Sequence, residues 1–224
     1  MNIEKYQEIL QEIPENVKLI AVSKLHPAPE VEAAYALGQR DFGENWAQEM
    51  REKHEILPQD IRWHFIGHLQ TNKIKYIIPY VHLIQSIDSF KLLQEVNRQA
   101  EKHNRTVGYL LQFHVATEET KFGFVMDECE AMLQSPEFAA LKNVEIKGVM
   151  GMASFTDDMA QVRREFRTLR TIFEKLKTEY FSENPDFKEL SMGMTDDYRI
   201  AIEEESTMIR VGSAIFGERD YSKR

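Results

Sequence analysis

One cysteine, Cys129, is all that 224 residues contain, so no disulfide can form within the chain and a reducing cytoplasm suits it. Basic residues are also in deficit. Lys and Arg number 28 against 37 Asp and Glu, for a net charge of −9. No basic face is on offer to nucleic acid or to an anionic membrane. Long apolar runs are missing, and none approaches the roughly 18 residues of a membrane span. The opening MNIEKYQEILQEI alternates charged with apolar residues, unlike a signal peptide. Linkers, repeats and low-complexity tracts are absent too. An apolar fraction of 42% is enough for a substantial core. Together these point to a cytoplasmic globular protein of one domain, residues 1–224.

The most informative stretch is Val17–Lys24, VKLIAVSK. Its continuous apolar run reads as a strand buried on both faces, as in a parallel sheet. Pro27 and Pro29 then open a helix. A lysine ending a buried strand either snorkels to solvent or is chemically used. Desolvation lowers the pKa of such an amine and frees it as a Schiff-base nucleophile.

Seven more strands are predicted at 40–43, 61–66, 81–86, 107–115, 144–150, 187–192 and 208–211. Helical patterns separate them, with a capping box expected at Asp127 and Glu130. A further amphipathic helix, with Ile3, Tyr6, Ile9, Leu10 and Ile13 on one face, precedes the first strand. Eight strands alternating with helices over this length predict an α/β fold, a single (β/α)8 TIM barrel with an extra N-terminal helix. An open doubly wound sheet is the alternative.

Barrel sites form at the C-terminal ends of strands, with phosphate often held after the seventh and eighth. Ser191-Met192-Gly193-Met194-Thr195 follows one, and Arg210-Val211-Gly212-Ser213 ends the other. Each could be an ordinary glycine turn; their position opposite Lys24 makes them a candidate cradle. A lysine plus a phosphate cradle is what pyridoxal 5′-phosphate (PLP) requires. Arg210 suits the ring nitrogen, because arginine only donates hydrogen bonds, although a salt bridge to one of Glu203–Glu205 is the ordinary alternative. His64 and His68 lie four apart but on a strand broken by Gly67, so no metal is expected. Asn45 and the 70–73 stretch could line the pocket, Lys121 could reach its mouth, and Cys129 reads as a half-buried packing residue.

These motifs together resemble the PLP homeostasis protein family, which has the alanine racemase N-terminal barrel fold. The resemblance runs through Ala21-Val22-Ser23-Lys24, Phe42-Gly43-Glu44-Asn45, Trp63-His64-Phe65-Ile66-Gly67, Leu69-Gln70-Thr71-Asn72-Lys73 and the two strand ends above, to Ile215–Tyr221. It implies that Lys24 forms the aldimine with PLP. It also implies that Ser191, Gly212 and Ser213 hold the phosphate with Gly193 beside them, that Arg210 faces the ring nitrogen, and that Asn45 and Met192 line the pocket. His114 stands where many members have Asn, Trp46 where Tyr is usual and Thr195 where Ser is usual.

The family binds PLP without clear turnover and influences PLP supply, with apo PLP-dependent enzymes as possible acceptors. Racemisation needs an acid/base group on each face of the α-carbon. Alanine racemases take one from an additional C-terminal domain, for which a chain stopping at Arg224 leaves no room. Buffering or delivery by a monomer is therefore expected. Weak racemase or lyase activity is the alternative, and a PLP-free Schiff-base or phosphate-binding barrel is a third reading.

Overall fold

A computed structural model describes residues 1–117 and 122–218. Lys121 and the end of the Ile215–Tyr221 motif lie outside the described residues. Among those described, eight parallel strands close into a barrel in chain order. They are β1 (Lys18–Val22), β2 (Asp41–Glu44), β3 (Arg62–Phe65), β4 (Leu83–Ile87), β5 (Val107–Gln112), β6 (Val144–Met150), β7 (Glu189–Ser191) and β8 (Met208–Val211). Closure is made by β1 on β8, with Ile20 opposite Arg210. The open sheet is thereby excluded.

The extra helix α1 (Ile3–Glu12) is capped by Asn2, whose side chain accepts from the Lys5 N–H, and it buries Tyr6 and Ile9. The helices α2 (Ala28–Ala36), α3 (Ala47–Ile56), α4 (Phe90–Lys102), α5 (Met126–Leu133), α6 (Pro136–Ala139), α7 (Met159–Glu179), α8 (Tyr198–Glu203) and α9 (Ser213–Phe216) surround the barrel. After β3 the expected helix is a 3-10 turn over Thr71–Tyr76. The capping box is not formed: α5 starts at Met126, so Asp127 sits in its first turn and its charge meets the helix dipole instead. Cys129 is wholly buried, and burial pushes its thiol up to about 12. No helix among the described residues is long and apolar enough to cross a membrane.

Two apolar layers result. Phe42, Trp63, Phe65, Ile84, Leu111 and Leu190 point outward against the helices. Ile20, Leu83, Leu110, Met150 and Met208 form a separate cluster within the barrel. Alternation along each strand explains both, since successive side chains face opposite sides. The inward residues are not all apolar. Lys18 pairs with Glu189 and Arg62 with Asp41 at the N-terminal end of the strands, while His64, Gln85, Ser191 and Arg210 are buried polar residues above them.

Candidate functional site

Lys24 lies two residues beyond β1, at the C-terminal face. Its neighbours are tied down by a buried charged cluster from β2 and α3. Ser23 Oγ donates to Glu44 Oε1 at 2.6 Å, and Lys53 Nζ donates to the Ser23 carbonyl and to Glu44, each at 2.7 Å. Glu49 accepts from Lys53 at 2.7 Å and from the Leu25 N–H at 2.6 Å. Leu25 adopts φ +64°, an uncommon conformation for a bulky residue, which these bonds sustain. Burial pushes the Glu44 carboxyl upward, against the pull of Lys53. Ser23 and Glu44 lie in motifs read from the sequence, but no residue of this cluster was expected to serve the site. Its signal was a Glu at the end of one strand, followed by Glu and Lys at i, i+4 on the next helix.

Lys24 opens onto a cavity of about 520 Å³ that is also lined by Asn45, Thr195, Arg210, Gly212 and Ser213. That volume lies within the range of small-molecule sites. Ser213 Oγ donates to Thr195 Oγ1 at 3.1 Å, so two hydroxyls meet where β7 and β8 end. A Cβ on Gly212 would stand 3.0 Å from the Val22 carbonyl, so glycine lets this turn close against β1. Thr195 does not cap the next helix, as Asp197 precedes α8. It stands in the lining instead.

Arg210 is 4% exposed. Its Nη1 donates to Ser191 Oγ at 2.7 Å and its Nη2 to the Gly151 carbonyl at 3.0 Å. Burial pushes its guanidinium down to about 10 while Asp197, also in the lining, pulls the other way, so the charge survives at neutral pH. The alternative salt bridge is not made, because Glu204 is held by Arg163 and Arg167 of α7.

The other expected residues fall behind this lining. Ser191 is fully buried, and its hydroxyl donates to Gln85 at 2.7 Å while accepting from Arg210. The Ser191 hydroxyl is thus committed beneath Arg210 and lies outside the cavity lining, in which Thr195 stands. Met192 is buried in the outer apolar layer, because it follows Ser191 by one residue and faces the other way. Gly193 has φ +94°, and its carbonyl accepts from the Arg210 N–H at 2.9 Å. Gln70 and Lys73 line a neighbouring groove rather than the cavity, and His114 is outside the lining. Asn45 lines both.

Away from the mouth, ligand atoms of Asp41, His64 and His82 lie within 4.8 Å of one another. Asp41 already takes both oxygens to Arg62, at 2.8 and 2.6 Å. Burial raises its carboxyl, but the bonds from Arg62 and His64 outweigh that and hold it well below the carboxylate range. Asp41 and His64 are hydrogen-bonded to each other, and His82, exposed, meets His64 only edge to face.

Residues 2–220 match the family model for the alanine racemase N-terminal domain. A relative from Aquifex aeolicus, named pyridoxal phosphate homeostasis protein, is 38% identical over 205 residues, 91% of this chain and 88% of its own. The human protein of that name is 38% identical over 217 residues, 92% of this chain and 78% of its own. The chain belongs to the pyridoxal phosphate homeostasis protein family. The motif resemblance is confirmed. PipY from Synechococcus elongatus PCC7942, solved with PLP bound, superposes with a TM-score of 0.85 at 35% identity, over 96% of this chain and 99% of PipY. The barrel expected from strand count is therefore the family's barrel, with Lys24 at its mouth.

PLP can be tested against this family member's own atoms. Asn45, in the lining, has a buried Oδ1 with no hydrogen-bond partner among the described residues, an acceptor left open to a ligand's donor. A phosphate asks for donors, and the Thr195 and Ser213 hydroxyls stand together. A pyridine nitrogen asks for one fixed donor, and Arg210 is buried without a carboxylate at ion-pair distance among the described residues. The residues fit the group.

Proposed function

We propose that this protein binds PLP covalently through Lys24 and serves intracellular PLP homeostasis, buffering or delivering the cofactor without robust turnover. The observation that carries this reading is one cavity at the C-terminal face with Lys24, the Thr195–Ser213 pair and Arg210 in its wall. PLP-bound PipY and the relatives' names support it. Once bound, the cofactor would supply an aldehyde that captures amines and a ring that withdraws electrons.

The chain's own residues divide the work. Lys24 offers the amine, held at the cavity by the bonds on Ser23 and Leu25. Thr195 and Ser213 donate to the phosphate, and glycines at 193 and 212 let the backbone approach it. Gly193 and Met192 shape this end of the site from behind. Asn45 Oδ1 accepts from a ligand hydroxyl. Arg210, able only to donate, leaves the ring nitrogen without a proton and so limits electron withdrawal. The described lining contains no tyrosine, histidine, cysteine or second lysine, and its acids are Asp157, Asp196 and Asp197. A racemase needs an acid/base group on each face. The lack of a second amine, imidazole or phenol favours a carrier, with those aspartates the groups that turnover would have to use. Action as a monomer of one domain, in the cytoplasm, with apo PLP-dependent enzymes as acceptors, belongs to the same proposal.

Absorption of the purified protein with PLP, then borohydride reduction and peptide mapping, tests it. The expected outcome is a yellow protein with the reduced adduct on Lys24, and a colourless Lys24→Ala variant. A wild-type protein that stays colourless with PLP overturns the reading. Sustained turnover in chiral amino-acid assays, lost in Lys24→Ala, would replace carrier by enzyme.

A further inference from the structure

A single file of hydrogen bonds crosses the barrel interior behind Arg210. Arg210 Nη1 donates to Ser191 Oγ at 2.7 Å, and Ser191 Oγ donates to Gln85 Oε1 at 2.7 Å. Gln85 Nε2 lies 3.0 Å from His64 Nδ1, and His64 Nε2 lies 3.0 Å from Asp41 Oδ1. Five strands, β8, β7, β4, β3 and β2, contribute one residue each. Gln85 and Ser191 are fully buried and His64 is 1% exposed, so water cannot substitute for a missing partner.

The chemistry of the groups makes the file directional. An amide nitrogen only donates, so His64 Nδ1 accepts from Gln85. The proton of neutral His64 then sits on Nε2 and is donated to Asp41. Asp41 can only accept while ionised, and Arg62 holds it so. With the amide turned that way, Gln85 Oε1 faces Ser191 and draws its hydroxyl proton away from Arg210. The Ser191 lone pairs are thereby presented to the guanidinium. Reversing the amide would aim a donor at Ser191 and leave its proton pointing at a cation. Each member fixes the next, so the pose of Arg210 is specified from the far end of the barrel.

We propose that Gln85 is a positioning residue for Arg210, acting through Ser191 and itself oriented by His64 and Asp41. It thereby sets how the guanidinium meets the cofactor's ring nitrogen. The proposal rests on the PLP reading for its consequence, though the file of bonds stands apart from it. The interior file also explains why polar side chains occupy a barrel centre that Ile20, Leu83 and Leu110 otherwise fill.

The test is a cycle of Gln85→Leu, Ser191→Ala and the double variant in PLP-loaded full-length protein, read by the pH titration of the bound chromophore. Each single change should move that titration by about half a pH unit or more, because the ring nitrogen senses a displaced cation. The double variant should move it no further than Ser191→Ala does. Leu83→Ala, an interior change outside the file, should lower stability without moving it. An unmoved titration in Gln85→Leu, or shifts that simply sum, overturns the proposal.

Should Gln85→Leu fail to fold, Gln85→Glu serves. A carboxylate beside His64 Nδ1 should place a proton there, which imidazole 15N shifts report, whereas an unchanged His64 overturns the orientation argument. If the wild type takes up no PLP, the parent reading fails by itself. The same 15N measurement on unloaded wild type then decides the file: a proton on His64 Nε2 sustains it, and one on Nδ1 overturns it.

Discussion

Arg210 is a buried cation whose two hydrogen bonds go to neutral acceptors, with Asp197 the carboxylate whose field reaches it. Replacing it with glutamine keeps a donor but removes the fixed charge. Arg210→Gln should weaken PLP retention about tenfold, roughly 1.4 kcal/mol, and shift the chromophore's titration. Equilibrium dialysis with a pH series checks both. Gly193 bears a different constraint. Its φ of +94° disfavours any side chain, and a Cβ there would stand 2.6 Å from Ala201 Cβ. Gly193→Ala should cost roughly 2–4 kcal/mol, measurable by urea unfolding, with Thr195 displaced.

Among the elements, the join of β1 to α2 depends on β2 and α3 through Glu44, Lys53 and Glu49. Lys53→Met would leave the buried Glu44 and the half-buried Glu49 uncompensated and should cost about 3 kcal/mol. It should also loosen the turn carrying Lys24, so that PLP is released faster in a stopped-flow trapping assay. Glu44 adds a pH signature of definite sign. Burial raises its carboxyl from 4.5 to about 7, so across that interval the folded state holds a proton that the unfolded chain has released. Stability should therefore fall as pH rises through this window and level off above it. Glu44→Gln should flatten that slope in urea midpoints taken at several pH values between 4 and 8.

For the molecule as a whole, the site is assembled from strands far apart in sequence, β1, β2, β7 and β8, which only closure brings together. Cofactor binding should therefore stabilise the entire barrel. At a hundredfold excess of PLP over its Kd the gain is about 2.7 kcal/mol, or roughly 5–10 °C in Tm for a chain of this size. A thermal scan with and without PLP checks this. Trp63 fluorescence and far-ultraviolet circular dichroism should report the same transition, because a sheet closed on itself has no internal boundary. Two separate transitions would argue against one domain.

The barrel and the place of Lys24 in it were readable from sequence because both follow from local rules. A double-sided apolar run means a buried parallel strand, eight of them alternating with helices require closure, and ligands gather at the strand ends. The motifs at Lys24, Ser191–Thr195 and Arg210–Ser213 added the family. Which of those residues touch the cavity was decided only by tertiary structure. A one-residue step along β7 turns Ser191 inward and Met192 outward, and sheet stagger sets Ser191 below the mouth while Thr195 rises to it. Gln85 carried a faint signal, sharing its strand face with Leu83, but a lone glutamine is silent until four other strands bring Ser191 and His64 to it. Glu44 and Lys53 were hidden for the same reason. The energy of a buried polar group depends on its partners, and distant partners are chosen by the closing of the barrel rather than by the neighbours in the chain.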